Sequence, residues 1–378
     1  MNSFSRRIFI GGLGLTVSGF SAQKAKKILV CLIDGMSEEY IAKSDMPSLK
    51  RAMKAGTYKT GLGMMPSLTN VNNASLATGT YPEQHGITAN TFFDPEAGKV
   101  VEMSSSKYLL KPTIFESAHK VGLKTAFVGS KEKVRLLIGT KAQLAIGAEK
   151  QGIPMYEAAN SYWVFDQGRT ALRRPDVNLL YLTTTDYMMH TYAPEQAQSQ
   201  EHLNRLDKIL GGILDDHSNI ELYLCADHGM NLKTMAIDPV RVLAKAGIGA
   251  RAVAAIADKH KVHHNDLGGS IYVDLENTAD ATKARDALKA EKGIDEVLLR
   301  DEAARRFRLM ASRTGDLFVL GDQRTALGQL EQVRSEVKVR THGSVHEQKI
   351  PLLVFGRKPA KLESIVDLTA TRAWEAGS

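Results

Sequence analysis

Short apolar runs separated by helix-like stretches are the feature that most constrains the fold of this 378-residue chain. Runs of this kind are typical of parallel strands that are buried on both faces of a sheet. They occupy residues 27–33, 124–129, 177–183, 220–226 and 349–356. Helical patterns lie between them, for example at 46–56 and 113–122. Strands that alternate with helices predict an α/β fold in which a mainly parallel sheet is sandwiched by helices.

Aspartate and histidine residues stand next to four of these predicted strands. Carboxylates follow the strands at 27–33, 177–183 and 220–226, and an imidazole comes shortly before the strand at 349–356. In open parallel sheets, ligands bind just beyond the carboxyl ends of the strands. These side chains therefore predict a metal site at that edge of the sheet. The candidate ligands are Asp34, Asp186, His190, Asp227, His228 and His342.

The composition of this ligand set indicates the metal. Three carboxylates and three imidazoles suit two divalent cations with open positions for substrate, zinc first. Asp186 and His190 are four residues apart, so a helix that begins at 186 would place both on one face. Two metal ions roughly 4 Å apart can clamp the attacking and leaving oxygens of a displacement at phosphorus. Any one of these residues alone would be an ordinary turn or helix cap, and only their combination predicts a two-metal centre.

A candidate nucleophile lies in the stretch 65–86. Thr69 is followed by a polar run and then by a helical pattern, so its hydroxyl is expected near a helix N-terminus. There the backbone N–H groups and the helix dipole favour anionic oxygens. A threonine hydroxyl needs a metal or a base to act as a nucleophile. Without the six ligands, Thr69 would be interpreted as a plain helix cap.

The first 22 residues have the arrangement of an export leader. Arg6 and Arg7 precede an apolar, glycine-rich run from Ile8 to Phe20 that is too short to span a bilayer. The paired arginines favour the twin-arginine route and a periplasmic location. The alternatives are a disordered tail or a start-site artefact on a cytoplasmic protein. No stable membrane insertion is expected.

The amino-acid composition limits the kinds of partner that the chain is expected to bind. The formal charge is +7, but no basic stripe is visible and the aromatic content is only 6%, so a nucleic-acid partner is not expected. A mildly basic enzyme that acts on small anions fits better. Cys31 and Cys225 lie inside predicted strands and indicate buried small hydrophobes rather than a disulfide framework. The sequence leaves a homodimer open.

The segment that separates His228 from His342 carries its own β and α patterns. Strand-like or helical runs occupy 270–275, 281–291, 295–307 and 316–322. We therefore predict that residues 233–340 form an inserted α+β cap at the mouth of the site, because both ends of the segment lie there. The predicted catalytic core comprises residues 26–232 and 341–378.

Five motifs carry a resemblance to a known family. They are LIDGM (32–36), PSLTNVNNASLATG (66–79), DYMMH (186–190), ADHG (226–229) and THGS (341–344). These motifs resemble the metal and nucleophile motifs of the alkaline phosphatase superfamily, in its nucleotide pyrophosphatase/phosphodiesterase branch. Within that branch the chain is most similar to the phosphonoacetate hydrolases, over most of residues 26–356.

The resemblance implies two zinc sites, with Mn²⁺ and Fe²⁺ left open as other divalent cations. One zinc would be held by Asp186, His190 and His342, and the other by Asp34, Asp227 and His228 with Thr69 bound to it. His342 is preferred to His346 because the family's last ligand directly precedes a glycine.

Three further residues are implied to bind a small anionic substrate. Asn90 corresponds to an asparagine that contacts a phosphoryl oxygen, and Lys131 and Lys133 match a Lys-x-Lys pair that holds a substrate carboxylate. Cleavage of a C–P bond expels a carbanion, which an adjacent carboxylate can stabilise as an enediolate if a cation is placed there. From the residues alone, 131–133 would be interpreted as a solvated turn.

The resemblance thus predicts a di-zinc hydrolase of phosphonoacetate that acts through a phosphothreonine at Thr69. The alternative is a di-zinc phosphodiesterase or nucleotide pyrophosphatase with the same core, which would take a phosphate ester and have no use for a carboxylate-binding lysine pair. An exported metal- or phosphonate-binding protein without turnover is a third hypothesis, which an intact Thr69 argues against. His263 and His264 are expected either to line the mouth of the site or to serve a surface or packing role.

Overall fold

The computed structural model describes residues 26–94, 96–257, 259 and 261–370. The export leader predicted for residues 1–22 and the last residues of the predicted core, 371–378, lie outside the described residues.

The described part of the chain contains sixteen strands, numbered here in chain order. They are β1 (Lys27–Leu32), β2 (Thr57–Leu62), β3 (Thr91–Asp94), β4 (Lys99–Glu102), β5 (Thr125–Gly129), β6 (Leu144–Gly147), β7 (Leu179–Thr183), β8 (Ile220–Cys225), β9 (Asn231–Ile237), β10 (Ala250–Ala254), β11 (Ser270–Leu275), β12 (Ile294–Leu299), β13 (Leu317–Gly321), β14 (Thr325–Leu327), β15 (Arg334–Thr341) and β16 (Lys349–Phe355).

Thirteen α-helices connect the strands within the same described residues. They are α1 (Glu38–Lys43), α2 (Pro47–Ala55), α3 (Thr69–Thr78), α4 (Pro82–His85), α5 (Ile114–Lys120), α6 (Glu132–Ile138), α7 (Ala158–Arg173), α8 (Tyr187–Thr191), α9 (Ala197–Asp216), α10 (Pro239–Lys245), α11 (Lys261–His264), α12 (Ala281–Lys289) and α13 (Arg300–Phe307).

Seven strands form the central sheet, in the order β2-β16-β8-β1-β7-β5-β6. The strands β8, β1, β7, β5 and β6 run parallel to their neighbours within this group. The residues of β1, β5, β7 and β8 are all buried and mostly apolar, which is the pattern of a sheet covered on both faces, while those of the edge strand β6 are mostly half-buried. The predicted α/β fold with a mainly parallel sheet is therefore confirmed.

Helices cover both faces of this sheet. Side chains of a strand alternate between the two faces, so Tyr181 of β7 points away from the face that Leu180 and Leu182 share. Phe115 of α5 packs against the ring of Tyr181, with the ring centroids 6.2 Å apart. On the other face Gly168 of α7 lies against the side chains of Leu180 and Leu182. The sheet is therefore sandwiched by helices, as the sequence predicts.

One strand was predicted with the wrong direction. The run 349–356 forms β16, but it pairs antiparallel with β8 on one side and with β2 on the other. An apolar run records burial on both faces and carries no information about direction. The partner strand β2 was not predicted, because its sequence is largely polar and its side chains are largely exposed.

The region 233–340 has its own β-structure and hydrophobic core. Strands β10, β11, β13 and β12 form a four-stranded antiparallel sheet. Buried side chains such as Ile271, Leu288 and Val319 pack together beside it. Strands β14, β9 and β15 form a separate three-stranded sheet. The predicted strands and helices of this region are thus confirmed, while its role as a cap stays a prediction.

Across the described ranges, no helix combines the length and the apolar character that a transmembrane crossing requires.

Helix α2 owes its N-terminal cap to another helix. Its first N–H groups have no cap from the preceding residue. Instead the buried Asp207 of α9 accepts from Ser48 N at 2.9 Å and from Leu49 N at 2.7 Å. A carboxylate at this position also complements the positive end of the helix dipole. Asp207 therefore fixes α2 against α9.

We expect Asp207→Ala to lower the free energy of unfolding by about 1–3 kcal/mol, because two buried N–H groups lose their acceptor. Urea unfolding followed by circular dichroism measures the loss. Asp215→Ala is the matched control, because Asp215 also links α9 to α2, through Arg51 at 3.1 Å, but is exposed. Its cost should stay below about 1 kcal/mol. Equal costs for the two variants would contradict the capping role.

Candidate metal centre and nucleophile

The parallel pairing of β1 with β7 and β8 brings three carboxylates to one edge of the sheet. Leu32 of β1 lies opposite Thr183 of β7 and Cys225 of β8. Asp34, Asp186 and Asp227 follow these strands by two or three residues, so strand register alone places them together. All three are buried, with at most 2% of each residue exposed.

The first candidate metal-binding group combines Asp34, Asp227 and His228. His228 Nε2 lies 3.3 Å from Asp34 Oδ1 and 3.5 Å from Asp227 Oδ2. The other oxygen of Asp227, Oδ1, accepts from the backbone N–H groups of Gly35 and His228, both at 3.1 Å. The carboxylate is therefore oriented by one oxygen, and the other is directed at the group.

The second group is built around Asp186. Its Oδ2 lies 3.0 Å from His190 Nε2 and 3.6 Å from His342 Nε2. Asp186 precedes the short helix α8, and the N–H of His190 donates to the Asp186 carbonyl at 3.0 Å. The one-turn arrangement expected from the sequence is therefore present. The rings of His228 and His342 stack with centroids 3.3 Å apart, so the two groups adjoin.

Gly35 allows these elements to approach closely. Its φ is +75°, a left-handed conformation that favours glycine. A Cβ there would lie 3.2 Å from Asp186 Cβ and 3.3 Å from Met189 Cβ. A side chain at position 35 would therefore push the end of β1 away from α8.

All three histidines present the same nitrogen to the carboxylates. The Nδ1–H groups of His190, His228 and His342 donate to backbone carbonyl oxygens, at 2.6, 2.9 and 2.7 Å respectively. The acceptors are Arg340 O, Gly229 O and Ser67 O. Each contact holds the Nδ1 proton, so Nε2 is the atom through which the imidazole would bind a metal, which is how proteins orient metal-ligating histidines.

The donor set fits a metal. Among the described residues, Asp34 Oδ1, Asp227 Oδ2 and His228 Nε2 are buried atoms that lack a hydrogen-bond partner. Buried polar atoms are rarely left unsatisfied, and carboxylate oxygens with imidazole nitrogens are the ligands that zinc takes. The residues predicted from the sequence are therefore brought together as two adjoining groups that could hold divalent cations.

Thr69 is the first residue of α3 and is buried beside these groups. The helix is buried from Thr69 to Ala77, although many of its side chains are polar. The buried amides of Asn72 and Asn73 are hydrogen-bonded to backbone groups of Met64, Leu68 and Thr69, which offsets the cost of their burial. The helix is thereby held firmly, and its N-terminus, where anionic oxygens are favoured, is directed at the site.

Lys131 lies inside the cluster of acidic residues. Its Nζ is 2.9 Å from Asp34 Oδ2, 2.7 Å from Asp186 Oδ1 and 3.5 Å from Thr69 Oγ1. Only 4% of the residue is exposed. One ammonium therefore bridges a carboxylate of each group and reaches the candidate nucleophile. The sequence did not predict these contacts, because they join residues that are far apart in the chain.

Charges in this cluster shift one another's pKa values. Burial opposes ionisation of Asp186, but the Lys131 ammonium together with the His190 and His342 contacts outweighs it, and they hold the pKa of Asp186 well below its usual value. Burial and a neighbouring carboxylate raise the pKa of Asp227. Burial lowers the pKa of His228, but the adjacent carboxylates outweigh it and raise the pKa to about 9. Burial lowers the pKa of His342 well below its usual value, so this imidazole is neutral and ready to bind a metal.

The other candidate residues have different surroundings. Asn90 is buried, and its side chain accepts from Asn70 N at 3.4 Å and donates to Ile256 O at 3.1 Å. Lys133 is also buried.

His264 is buried with its ring centroid 6.3 Å from that of His190. His346 pairs with Asp295 at 3.2 Å and is partly exposed. Of the neighbouring histidine pair at 263–264, the side chain of residue 263 lies outside the described atoms.

Sequence reasoning missed the residues that orient the histidines. Ser67 accepts from His342 through its carbonyl, and its Oγ donates to Ser344 O at 2.7 Å. Arg340 accepts from His190 through its carbonyl, and its side chain donates to Met189 O at 2.8 Å. The acceptors of the histidines are backbone atoms, which any residue type supplies, so no pattern in the sequence marks them.

This combination of fold and site defines a family. Residues 28–345 match the family model described as type I phosphodiesterase/nucleotide pyrophosphatase. The chain belongs to this family, which is part of the alkaline phosphatase superfamily.

Solved structures and curated relatives agree with that membership. A phosphonoacetate hydrolase from Sinorhizobium meliloti 1021, solved in complex with phosphonoformate, is 31% identical with a TM-score of 0.80, covering 92% of this chain and 96% of that chain. A venom phosphodiesterase of Crotalus durissus collilineatus is 29% identical over 220 residues. That match covers 54% of this chain and only 26% of the relative's length. Murine ectonucleotide pyrophosphatase/phosphodiesterase 5, at 19% identity and a TM-score of 0.69 over 92% of this chain and 94% of that chain, shares the fold.

We expect Lys131→Met to destabilise chelator-treated protein by about 3–5 kcal/mol, because buried carboxylates lose their cation. Added zinc should restore more stability to the variant than to the wild type, since a bound cation replaces the lost charge. Thermal unfolding with and without zinc measures both effects.

Lys27→Met is the matched control for this test. Lys27 is buried at the start of β1, the strand whose other end leads to Asp34. It donates to the backbone carbonyls of Arg174 and Val177. This variant should lose stability without gaining sensitivity to zinc. A zinc response of Lys131→Met equal to that of Lys27→Met would show that Lys131 does not balance the metal-binding carboxylates.

Proposed function

We propose that this chain is a di-zinc hydrolase that cleaves the C–P bond of phosphonoacetate, or of a close carboxyalkyl phosphonate, to give acetate and phosphate. The observation that carries the proposal is the meeting of two metal-binding groups, the Thr69 hydroxyl and a buried lysine ammonium at one edge of the sheet. The near full-length similarity to a phosphonoacetate hydrolase supports the substrate class.

Each metal has a named set of residues. One zinc would be held by Asp34, Asp227 and His228, beside Thr69. The other would be held by Asp186, His190 and His342, with His228 of the first set also close to Asp186 and His342. When bound, divalent cations at these groups would supply charge neutralisation at the phosphoryl oxygens and activation of hydroxyl and water nucleophiles.

The chain itself supplies the nucleophile. Thr69 loses its hydroxyl proton and its Oγ attacks phosphorus in line with the P–C bond, so that a P–O bond to Thr69 forms as the P–C bond breaks; the proton lost here balances the one that the leaving carbon takes up. The N-terminus of α3 stabilises negative charge on the phosphoryl oxygens through its N–H groups and dipole. Asn90 is buried, and its side chain accepts from Asn70 N in the first turn of α3; it is proposed to contact one of these oxygens.

The lysines address the leaving group. The electron pair of the broken P–C bond passes to the carbon next to the carboxylate and is delocalised there as an enediolate, which a proton converts to acetate. A cation held at that carboxylate lowers the barrier if its interaction strengthens as charge develops. Lys131 reaches the site directly, and Lys133, two residues further on, is buried; both are proposed for this role.

Hydrolysis of the phosphothreonine completes the turnover. Water attacks phosphorus from the side opposite Thr69 Oγ, the P–O bond to Thr69 breaks, and phosphate leaves. A proton returns to the threonine oxygen, so the residue is regenerated for the next cycle.

A phosphodiesterase or nucleotide pyrophosphatase is the second candidate function. The match to a venom phosphodiesterase favours it, although this chain spans only 26% of that relative's length. Both candidates use the same metal ligands and Thr69, so the lysine pair separates them. A binding protein without turnover would leave the buried Thr69 without a function. Export to the periplasm stays a proposal, because residues 1–22 lie outside the described residues.

We expect zinc-loaded protein to release phosphate from phosphonoacetate with a higher kcat/KM than it shows for an aryl phosphodiester or an aryl phosphomonoester. Thr69→Ala should lower kcat on the order of 10³-fold or more while zinc stays bound, because the nucleophile is lost. Lys133→Met should lower kcat/KM for phosphonoacetate and leave diester hydrolysis unchanged.

Thr78→Ala is the matched control, because Thr78 ends the same helix and donates to Ala74 O at 2.7 Å. Its kcat should equal that of the wild type. A higher kcat/KM for the diester than for phosphonoacetate, with no change in Lys133→Met, would instead support the phosphodiesterase hypothesis. Turnover by Thr69→Ala would refute the covalent mechanism.

Zinc binding should strengthen as the pH rises from about 6 to about 9, because metal ligands must be deprotonated. The pKa of His228, raised to about 9, means that zinc displaces a proton above the usual histidine range, and the raised pKa of Asp227 means that a second proton is displaced near neutral pH. Titration calorimetry in buffers of different ionisation enthalpy counts the protons released. With ordinary pKa values both ligands would already be deprotonated by about pH 8, so any protons released there would come from a bound hydroxyl or water alone. A proton count no larger than that would contradict this assignment of charges.

A further inference from the structure

Lys233 and Glu347 form an ion pair that is completely buried. Lys233 Nζ lies 2.9 Å from Glu347 Oε1, and both side chains are 0% exposed. Neither residue belongs to the proposed catalytic machinery. A buried ion pair persists only if further hydrogen bonds compensate for lost hydration, so its partners show what the pair holds together.

Glu347 is saturated with donors from two segments. Its Oε1 also accepts from Asn231 Nδ2 at 2.6 Å. Its Oε2 accepts from Ser344 N at 3.0 Å and from Ser344 Oγ at 2.7 Å. One carboxylate therefore joins the start of β9 to the loop that follows His342.

Lys233 extends this connection into the region predicted as a cap. Its ammonium donates to Gln323 O at 3.1 Å and to Asp322 O at 3.4 Å. These carbonyls belong to the turn between β13 and β14. The ammonium thus has three acceptors, the Glu347 carboxylate and the carbonyls of Asp322 and Gln323. These contacts compensate for the hydration that it loses on burial.

The loop that Glu347 anchors carries the ligand His342. Gly343 N donates to Ser67 Oγ at 3.2 Å, and His342 O accepts from Gly269 N at 2.8 Å. There is little free space around this loop, because a Cβ on Gly269 would lie 2.6 Å from Ser344 N. A shift of Ser344 would therefore move His342.

The other ligand loop is anchored by the same residue. Gly229 N donates to the backbone carbonyl of Glu347 at 2.7 Å, and Gly229 directly follows His228. Glu347 thus contacts the neighbours of one histidine from each metal-binding group, and Lys233 holds Glu347 in place.

We propose that the Lys233–Glu347 pair is a positioning device that fixes His228 and His342 relative to each other and to the inserted region. This role rests on the proposed metal centre. Neither residue touches the metal or the substrate, so both act through the two loops.

Zinc affinity, measured by competition with a chromophoric chelator, tests this role. Lys233→Met and Glu347→Gln should bind zinc roughly 10- to 100-fold more weakly than the wild type, as is usual when a residue that orients metal ligands is lost. Unfolding is measured in parallel, because removal of one partner leaves a buried group uncompensated.

A double variant separates positioning from stability. Lys233→Met combined with Glu347→Leu removes both charges and should recover much of the lost stability, while zinc affinity stays low because the loops are no longer anchored. Leu288→Ala controls for instability alone. Leu288 is fully buried in the core of the inserted region, so this variant should unfold more easily yet bind zinc as the wild type does.

Zinc affinities of all three pair variants within about twofold of the wild-type value would overturn the positioning role and reduce the pair to a structural contact. Recovery of zinc affinity together with stability in the double variant would overturn it as well. A wild-type protein that binds no zinc would instead refute the metal centre itself, so the two failures are distinguishable.

Discussion

The compensation of three buried carboxylates is the physical constraint on which the rest of this structure depends. Asp34, Asp186 and Asp227 meet at one sheet edge with almost no exposure to solvent. Burial of a carboxylate costs several kcal/mol unless it is paired and hydrogen-bonded. Lys131 pairs with two of them, and backbone N–H groups hold the third. The fold therefore brings negative charges together at a place where cations can neutralise them. The same cations that stabilise the fold would occupy the metal-binding site.

Strand order predicts where the three carboxylates lie, whereas the residues around them are placed by tertiary contacts that the sequence does not reveal. Aspartates after apolar runs could be assigned from the sequence because β1, β7 and β8 are parallel neighbours and end at one edge. The antiparallel direction of β16 could not, because burial carries no directional information. Contacts of Lys131 with Asp34 and Asp186, 97 and 55 residues away, are also invisible to local patterns.

The roles of several buried polar residues could not be predicted from the sequence either. Asn72 and Asn73 belong to the polar run that follows Thr69, and their amides donate to backbone carbonyls and so stabilise the helix on which Thr69 lies. Lys233 and Glu347 carried no signal at all, since they are 114 residues apart and belong to no motif. Motifs identify the groups that perform chemistry, whereas the residues that orient them are defined by contacts.

The long segment between His228 and His342 could be expected to hold these ligands poorly, because closing a long loop costs conformational entropy. That cost grows only with the logarithm of loop length, and the chain offsets it with a ladder. Strands β9 and β15 pair antiparallel, with Asn231 opposite Thr341. This register returns the chain to the site and leaves His228 and His342 side by side, whatever lies beyond the ladder. The ladder and the Lys233–Glu347 pair therefore hold the two ligands at a fixed spacing, although more than a hundred residues of chain separate them.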